Sequence, residues 1–450
     1  MITKGKNNTP VAAIVLAAGM GTRMHSNLHK VLHPIGGLPM ISHVLSALDK
    51  ISVAKRVVVV GAERQQIENA IAGVDFSIQD KQLGTGHAVL SSREYLDEFD
   101  GNVLILYGDV PLVSSETMQN LLNSLGDNGS GHTICVLGFR AEDPAQYGRL
   151  ILAKDNSLEA IVEYKDATSA QRKIDLCNSG IMAVRGKHLF PLLDKISNSN
   201  AAGEYYLTDL VALANNDSHT VGVVEVDENE VRGINSKAEL AGVENIFQNR
   251  MRMQAMNDGV TLLDPTSVYF SHDTSWSSDV TIAQNVVIGT GVTLKEGATV
   301  HAFSHLQDCV VGKNAAVGPF VRLRPGADIG ESAKIGNFVE VKKSKIGVGV
   351  KISHLSYIGD ADIGEGANIG AGTITCNYDG FNKFKTIIGE GAFIGSNTAL
   401  VAPVNIGDGA TVGAGSVITG NVEKDALGIE RNKQRNIKDW SRKFRDKQGK

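Results

Sequence analysis

The first half of the chain alternates short aliphatic runs with stretches of helical pattern. The runs include AAIVLAAG, RVVVVGA, NVLILYGD, HTICVLGF and VGVVEVD, and residues 40–51 carry one of the helical patterns. Strands that alternate with helices are typical of an α/β domain with a mostly parallel sheet. Such sheets bind ligands at the carboxyl ends of their strands. We therefore predict an α/β domain over residues 1–235 with a site at that edge.

The pattern changes in residues 236–258. There Leu240, Val243, Phe247 and Met251 recur at spacings of three and four. This spacing predicts one amphipathic helix. Because a polar, glycine-containing stretch follows it, we interpret this helix as a linker between two domains.

The second half of the chain has a period of six. Its aliphatic series comprises Ile282, Ile288, Leu294, Val300, Val311, Val317, Leu323, Ile329, Ile335, Val341, Ile346, Ile352, Ile358, Ile363, Ile369, Ile388, Ile394, Leu400, Ile406, Val412 and Ile418. Three hexapeptides form one triangular coil of parallel strands, and stacked coils bury a continuous aliphatic column. The series therefore predicts a parallel β-helix of hexapeptide repeats over residues 259–450.

The period slips by one residue before Ile346 and again before Ile363, and its long interruption lies between Thr375 and Ile388, which stand 13 positions apart where six are expected. The extra residues must leave the coil, and they include Asn377, Tyr378 and a Phe/Lys cluster. A flat prism cannot enclose a substrate, so we predict that this loop supplies walls and donors for a site. A tolerated surface insertion is the alternative, and it leaves these residue types unexplained.

Composition narrows the class of protein. A chain of 450 residues is too long for a single hydrophobic core, so we expect two or three domains. A net charge of −5 gives no reason to expect nucleic acid, no apolar run has the length of a membrane span, and residues 1–10 lack a signal-peptide pattern. The cysteines, which indicate neither a disulfide framework nor a zinc site, are Cys135, Cys177, Cys309 and Cys376. We expect a cytoplasmic location.

Residues 431–450 depart from the overall acidic balance, with nine Lys/Arg against two Asp. We interpret this tail as a solvated, partly disordered terminus. The alternative is that some of its cations bind a polyanionic ligand.

The motif LAAGMGTRM at residues 16–24 follows the first strand, and Lys30 comes soon after. Met24 replaces the third glycine of the dinucleotide fingerprint, and the motif is not a P-loop. A loop of exposed backbone N–H groups beside Arg23 and Lys30 suits a nucleoside triphosphate. Asp109, just past the strand in LYGDVPL, is either a turn residue or a metal-binding carboxylate.

Further motifs occur in order along the chain: KVLH, QLGTGHA, YGRL, VEYKDA, NSGI, EYYLTD, RLRPGA, GNFVEVKK, SHLSYIGDA, NIGAGTITCNYDG and KTIIG. Together they resemble the bacterial family of bifunctional N-acetylglucosamine-1-phosphate uridylyltransferase/glucosamine-1-phosphate N-acetyltransferases. The resemblance covers nearly the whole chain. It implies a Rossmann-like nucleotidyltransferase domain (1–235), a linker helix (236–258) and a left-handed parallel β-helix acetyltransferase domain (259–450).

For the first domain, the resemblance implies Mg²⁺-dependent uridylyl transfer from UTP to N-acetylglucosamine 1-phosphate. Arg23, as a catalytic residue, and Lys30 would neutralise the triphosphate, and Asp109 and Asn235 would coordinate Mg²⁺. The remaining contacts to UTP and the UDP-sugar would be Leu16, Ala17, Ala18, Gly19, Gln79, Gly84, Thr85, Tyr107, Gly108, Gly148, Glu163 and Asn178.

For the second domain, the resemblance implies acetyl transfer from acetyl-CoA to glucosamine 1-phosphate, with His354 as general base. A base is needed because the amine is largely protonated near neutral pH, and we expect Glu340 to steady the ring of His354. The glucosamine-phosphate contacts would be Arg324, Lys342, Tyr357 and Asn368. The acetyl-CoA and acetyl-transfer contacts would be Ala371, Asn377, Tyr378, Ser396, Ala414 and Arg431.

Two other functions are weighed against this one. In a nucleotidyltransferase whose β-helix serves only regulation or assembly, a base at His354 has no purpose. A non-enzymatic scaffold predicts loss of Arg23, Lys30 or Asp109, and all three are present. We therefore expect an enzyme that makes UDP-N-acetylglucosamine for peptidoglycan and lipopolysaccharide precursors. Three-sided prisms pack well about a threefold axis, so we also expect a homotrimer.

Overall fold

A computed structural model describes residues 9–126 and 131–449. These residues form two compact units, one that ends at Phe247 and one that begins at Gln248. Residues 1–8, where no signal peptide was expected, lie outside the described part, as does Lys450 of the basic tail. The domain limits at residues 235 and 259 remain predictions, because the long helix Lys237–Asn257 contributes to both units.

The first unit is built on a sheet that has nine strands within the described residues. Along its main path the strands are Val221–Val226, Ile134–Arg140, Leu176–Arg185, Asn102–Tyr107, Val11–Leu16, Lys55–Val60 and Asp75–Ile78. Leu176–Arg185 is antiparallel to both of its path neighbours, and the other path pairs are parallel. A hairpin, Arg149–Leu152 with Leu158–Val162, extends from Leu176–Arg185. The aliphatic runs are strands, as predicted.

Helices cover both faces of this sheet. Ile14 packs into one aliphatic cluster and its neighbour Val15 into another, so a single strand is buried on both sides. This double burial explains why the strands appear in the sequence as continuous aliphatic runs. The helices of the unit are Met40–Leu48, Gln65–Ala70, Thr85–Leu90, Arg93–Leu96, Ser115–Ser124, Gly186–Leu193, Asp209–Asn216 and the first part of Lys237–Asn257.

The second unit consists of three parallel sheets, which we name the first, second and third face. The first face contains Thr261–Leu262, Thr281–Ile282, Thr299–Val300, Ala316–Val317, Lys334–Asn337, Lys351–His354, Asn368–Ile369, Phe393–Ile394, Thr411–Val412 and Leu427–Gly428. The second face contains Val287–Ile288, His305–Leu306, Arg322–Leu323, Glu340–Lys342, Tyr357–Gly359, Ile374–Cys376, Ala399–Val401 and Val417–Ile418. The third face contains Ser275–Trp276, Val292–Leu294, Cys309–Val311, Ala327–Ile329, Ser344–Ile346, Ala361–Ile363, Thr386–Ile388 and Val404–Ile406.

The chain passes from the first face to the second and then the third, coil after coil. Every residue of the six-residue series is at most 5% exposed, so the predicted interior column is confirmed. Leu306, which the predicted series omits, fills the same inward position and is fully buried. Each such aliphatic burial stabilises the fold by about 1.5–3 kcal/mol.

The predicted linker helix is present as Lys237–Asn257. The tail from Arg431 to Gly449 is exposed, as expected of a solvated terminus, but it contains a helix, Trp440–Lys447, that the sequence analysis did not predict. The cysteines are free thiols. Of the helices in residues 9–126 and 131–449, none has both the length and the apolar character needed to cross a membrane.

Candidate active sites

A cavity of about 350 Å³ opens in the first unit where Val11–Leu16, Asp75–Ile78 and Asn102–Tyr107 end. These strands are parallel members of one sheet, so their carboxyl ends meet at the same edge. The predicted residues that line the cavity are Leu16, Ala17, Ala18, Gly19, Lys30, Gln79, Gly84, Thr85, Tyr107 and Asp109. The lining also contains Val31, Gln82, Ala88 and Glu204, to which the sequence analysis gave no role.

The QLGTGHA loop is fixed against the segment EYYLTD. The backbone N–H of Gly86 donates to the carbonyl of Tyr205 at 2.8 Å. Gly84 has a φ of 112°, and a Cβ there would lie 2.6 Å from the same carbonyl oxygen, so only glycine fits. Gln82 Nε2 donates to the carbonyl of Ala18 at 2.7 Å and thereby joins this loop to the glycine-rich one.

Charged and amide groups meet at one end of the cavity. Lys30 Nζ lies 2.5 Å from Asp109 Oδ2 and 3.1 Å from Asn235 Oδ1. Gly21 has a φ of 61°, and a Cβ there would lie 2.5 Å from the Cβ of Lys30, so this glycine lets the lysine stem approach the loop. The sheet edge therefore brings together one cation and two oxygen donors that are distant in sequence.

The donor set at this end suits Mg²⁺. Asp109 and Asn235 present a carboxylate and an amide oxygen to the same lysine nitrogen, so both oxygens are within reach of one small cation. Neither this site nor any other part of the described residues contains a group of three His, Cys, Asp or Glu side chains that could hold a metal. Mg²⁺ is typically bound through one or two protein oxygens and completes its octahedron with water and phosphate oxygens. The residues present therefore fit the predicted ion.

The predicted sugar contacts form a neighbouring group outside the cavity lining. Asn178 donates its backbone N–H to the carbonyl of Gly148 at 2.9 Å. Glu163 Oε1 accepts a hydrogen bond from the Thr208 hydroxyl at 3.3 Å, and burial raises the pKa of Glu163. A Cβ on Gly148 would lie 3.5 Å from Glu163 Oε1, so Gly148, Glu163 and Asn178 lie close together.

Tyr107 connects the sugar group to the nucleotide cavity. Its ring packs on Gly180, where a Cβ would lie 2.8 Å from the ring. Burial raises the pKa of its hydroxyl, and the nearby carboxylates of Asp109 and Glu163 raise it further. Two other predicted residues are not among the cavity lining: the Gly108 N–H donates to the carbonyl of Leu16, and Arg23 is exposed on the short helix Thr22–Met24.

In the second unit, four predicted residues and Asn337, which was not predicted, align at one edge of the prism. Each member of this set stands two positions after an inward-facing residue of the first face, where the chain turns to the second face. We name the set the corner column; its members are Asn337, His354, Ala371, Ser396 and Ala414. Backbone contacts connect the coils, since Asn397 N–H donates to Ala371 and Gly415 N–H to Ser396 at 2.7 and 2.8 Å. Arg431 Nη1 donates to the Ala414 carbonyl at 2.7 Å and extends the column.

His354 is exposed at the end of the strand Lys351–His354. Its Nδ1 lies 2.7 Å from Asn337 Oδ1, one coil away. An amide oxygen only accepts, so Nδ1 carries the hydrogen and Nε2 of the neutral ring is an open acceptor. The expectation that Glu340 steadies this ring is wrong: Glu340 pairs with Arg324 at 2.7 Å, and Asn337 contacts His354.

A cationic group lies where the second face turns to the third. Lys342 faces Lys383 of the inserted loop, and this contact, with burial and the charge of Arg324, lowers the pKa of Lys342. Lys383 is one of the lysines in the inserted loop, and no role was predicted for it. Three cations held this close favour an anion between them.

The inserted loop is anchored at its start. Asn377 is buried, and its Nδ2 donates to Asp360 Oδ2 at 2.5 Å. Tyr378, which is 60% exposed, donates its hydroxyl to the carbonyl of Gly380. The loop thus projects an aromatic side chain from a fixed base.

One predicted sugar-phosphate contact does not join the others. Tyr357 pairs with Glu340 on the second face, alongside Arg324 and Lys342. Asn368 lies on the first face, where its partners are Lys351 and Phe393. Within one chain, the predicted set is therefore divided between two faces.

Comparison with known proteins gives matches over both units. The model for the MobA-like NTP transferase domain matches residues 13–178, and the model for the bacterial transferase hexapeptide (six repeats) matches residues 308–343 and 385–420. "Bifunctional protein GlmU" of Zymomonas mobilis is 50% identical over 445 residues, which cover 98% of this chain and 99% of that protein. Proteins of the same name from Rhizorhabdus wittichii and Paramagnetospirillum magneticum are 56% and 52% identical, and at least 97% of each chain is covered.

The matches agree with the architecture. The nucleotidyltransferase model falls on the sheet that carries the cavity, and the hexapeptide model falls on the three-faced coil, which is a left-handed parallel β-helix as predicted. The identity extends over both units and is far above the level needed to assign a family. The chain therefore belongs to the GlmU family of bifunctional proteins and is an enzyme with a nucleotidyltransferase unit followed by a hexapeptide-repeat transferase unit.

Proposed function

We propose that the chain makes UDP-N-acetylglucosamine, a precursor for peptidoglycan and lipopolysaccharide, by acetylating glucosamine 1-phosphate and then transferring a uridylyl group to the product. The observation that carries this proposal is the presence of two unlike sites on one chain. The first unit has a cavity of exposed amides, a cation and oxygen ligands. The second has a histidine with an open acceptor nitrogen at one end of the second face and a cationic group at the other end.

In acetyl transfer, the amine nitrogen of glucosamine 1-phosphate attacks the thioester carbon of acetyl-CoA. The C–N bond forms and the C–S bond breaks. The departing thiolate takes the second proton that the nitrogen releases, so CoA leaves as the thiol. His354 takes the amine proton on Nε2, while Asn337 holds the ring through Nδ1. The corner column, with members about 4.8 Å apart at the spacing of neighbouring strands, suits the extended arm of acetyl-CoA.

In uridylyl transfer, an ionised phosphate oxygen of N-acetylglucosamine 1-phosphate attacks the α-phosphorus of UTP, and pyrophosphate leaves. This oxygen needs no general base, which explains a site with many amides and cations. The glycine-rich loop and the QLGTGHA loop bind the nucleotide, and Lys30 together with Arg23 neutralises the leaving group. Asp109 and Asn235 hold Mg²⁺, which supplies charge neutralisation at the phosphates when bound.

The direct test supplies the purified protein with glucosamine 1-phosphate, acetyl-CoA, UTP and Mg²⁺, and separates the products by mass. We expect free CoA, pyrophosphate and UDP-N-acetylglucosamine. Omission of UTP should stop the reaction at N-acetylglucosamine 1-phosphate. Omission of acetyl-CoA should prevent formation of both N-acetylglucosamine 1-phosphate and UDP-N-acetylglucosamine. Uridylyl transfer to separately supplied N-acetylglucosamine 1-phosphate, without any acetyl transfer to glucosamine 1-phosphate, would instead favour a β-helix that serves only regulation or assembly.

Lys383 is expected to bind the phosphate of glucosamine 1-phosphate together with Lys342 and Arg324. Lys383→Ala should raise the KM for this substrate about tenfold, since a hydrogen bond to a charged group contributes about 1.5–3 kcal/mol. The kcat should change little, because the contact exists in both ground and transition states. Lys385→Ala is the matched control: Lys385 belongs to the same loop but pairs with Asp362 at 2.5 Å. Equal effects of both variants would contradict a specific phosphate contact.

The acetyl-transfer site is expected to be complete only in a homotrimer. Asn368 lies on a different face from Arg324, Lys342 and Tyr357, so a neighbouring subunit is the simplest way to bring these groups together. Light scattering should give a trimer mass. Co-expression of Lys342→Ala and Asn368→Ala chains should restore some wild-type sites and hence activity above that of either variant alone. A monomer with full acetyl transfer would refute the trimer.

The reactions belong in the cytoplasm on this proposal. Free thiols at Cys135, Cys177, Cys309 and Cys376 are what a reducing compartment maintains. Acetyl-CoA and UTP are small-molecule partners that the same compartment supplies.

A further inference from the structure

A glutamate at the start of the long helix contacts the backbone of a proposed metal ligand. Glu239 Oε2 accepts a hydrogen bond from the backbone N–H of Asn235 at 2.7 Å. The N–H of Glu239 in turn donates to the Ser236 hydroxyl at 3.2 Å. Ser-x-x-Glu is the capping-box pattern, and here the glutamate reaches the residue just before the cap. Neither Glu239 nor Ser236 lines the substrate cavity.

The same stretch of backbone is fixed from the opposite side. Ile234 is fully buried, and its N–H donates to the carbonyl of Asp109 at 3.0 Å. The next side chain, Asn235, directs Oδ1 to within 3.1 Å of Lys30 Nζ. Asn235 is thus held at its own N–H by Glu239 and at the preceding residue by the strand end that carries Asp109.

A second contact fixes the residue after the cap. Lys237 Nζ lies 3.0 Å from His33 Nδ1, so the first turn of the helix is also tied to the segment that follows Lys30. The helix start and the Lys30 segment are therefore coupled independently of any substrate. Glu239 adds a direct contact to Asn235. Within the described residues, its carboxylate is the one side chain that is shown to accept from the backbone N–H of Asn235.

We infer that Glu239 is a positioning residue for metal binding in uridylyl transfer: it fixes the Asn235 peptide so that Oδ1 faces the Asp109 carboxylate. This inference rests on the proposed function, in which Asp109 and Asn235 hold Mg²⁺. Without Glu239 the N–H of Asn235 turns to water, and the amide side chain samples orientations that do not face Asp109. Groups that orient metal ligands in this way typically change metal affinity about 10–100-fold.

The test measures Mn²⁺ binding to the full-length protein by electron paramagnetic resonance in the presence of UDP-N-acetylglucosamine. Glu239→Ala should weaken Mn²⁺ binding by about tenfold or more. It should raise the Mg²⁺ concentration for half-maximal uridylyl transfer by a similar factor. Glu239→Gln keeps an acceptor oxygen at the same distance from the backbone. It should therefore retain most of the wild-type Mn²⁺ affinity and most of the wild-type response to Mg²⁺. Acetyl transfer, measured in each sample, should be unchanged and reports that the protein is folded.

Two further variants separate the explanations. Glu244 lies on the same helix and accepts from the Gly36 N–H at 2.8 Å, so Glu244→Ala perturbs the helix without touching Asn235. An equal loss of Mn²⁺ affinity in Glu239→Ala and Glu244→Ala, or wild-type affinity in Glu239→Ala, overturns the inference. If both Glu239→Ala and Asn235→Ala bind Mn²⁺ like the wild type, the inference about Glu239 and the assignment of Asn235 as a metal ligand are both wrong. If only Asn235→Ala is impaired, the ligand assignment stands and the role of Glu239 falls.

Discussion

Replacement of His354 by alanine is expected to lower acetyl-transfer turnover near neutral pH by about 10²–10⁴-fold, the usual contribution of a general base. The substrate amine is an ammonium that must lose a proton, and the open Nε2 of His354 is placed to take it while Nδ1 is held by Asn337. Steady-state kinetics with glucosamine 1-phosphate should show the loss in kcat, with the KM for acetyl-CoA little changed.

Two controls make this result specific. The residual rate of His354→Ala should rise with pH, because the free amine accumulates without help from a base. Uridylyl transfer from supplied N-acetylglucosamine 1-phosphate should match the wild type. If His354→Ala keeps wild-type turnover near neutral pH, the base lies elsewhere, and Tyr357 and Tyr378 become the next candidates.

Removal of the Asp109 carboxylate is expected to abolish uridylyl transfer while acetyl transfer persists. The carboxylate is the one anionic ligand in the proposed Mg²⁺ site, and it also pairs with Lys30 at 2.5 Å. Without it the phosphates lose a bound cation, and a mostly buried lysine loses its partner. The measurement is pyrophosphate release from UTP and N-acetylglucosamine 1-phosphate, alongside CoA release from glucosamine 1-phosphate.

Two variants of Asp109 distinguish loss of folding from loss of catalytic activity. Asp109→Asn keeps the size and a hydrogen-bond acceptor for Lys30, whereas Asp109→Ala leaves the lysine with only the amide oxygen of Asn235. Both should lose uridylyl transfer, and Asp109→Asn should melt closer to the wild type. Equal loss of both activities in a folded Asp109→Asn protein would contradict two independent sites.

Much of the fold was predictable because its signals are local and repeated. The inward residue of each coil recurs every six positions, so the interior column followed from the sequence, although the series missed Leu306. The strands of the first unit were predictable because burial on both faces leaves continuous aliphatic runs. The helix in the basic tail was missed because Trp440 and Phe444 stack on an otherwise charged and exposed segment.

The candidate sites were predictable only in part. Motifs named most of the cavity lining, but Gln82 and Glu204, which open two of those motifs, were given no role. Gln82 is held there by its hydrogen bond to Ala18, and Glu204 belongs to the segment that contacts the QLGTGHA loop. Asn337 was not predicted as the partner of His354, since the pairing depends on the strand register that places residues 337 and 354 side by side. The sequence offered Glu340 instead, which the structure pairs with Arg324.

The sequence by itself determined the two architectures, the position of the inserted loop and the residue types available for chemistry. These follow from periodicity and composition, which act along the chain. Only the tertiary structure decided that Lys30, Asp109 and Asn235 meet, because parallel strands bring their carboxyl ends to one edge whatever their separation in sequence. It also aligned His354 with the corner column and separated Asn368 from Lys342, because each turn of the prism assigns neighbouring residues to different faces.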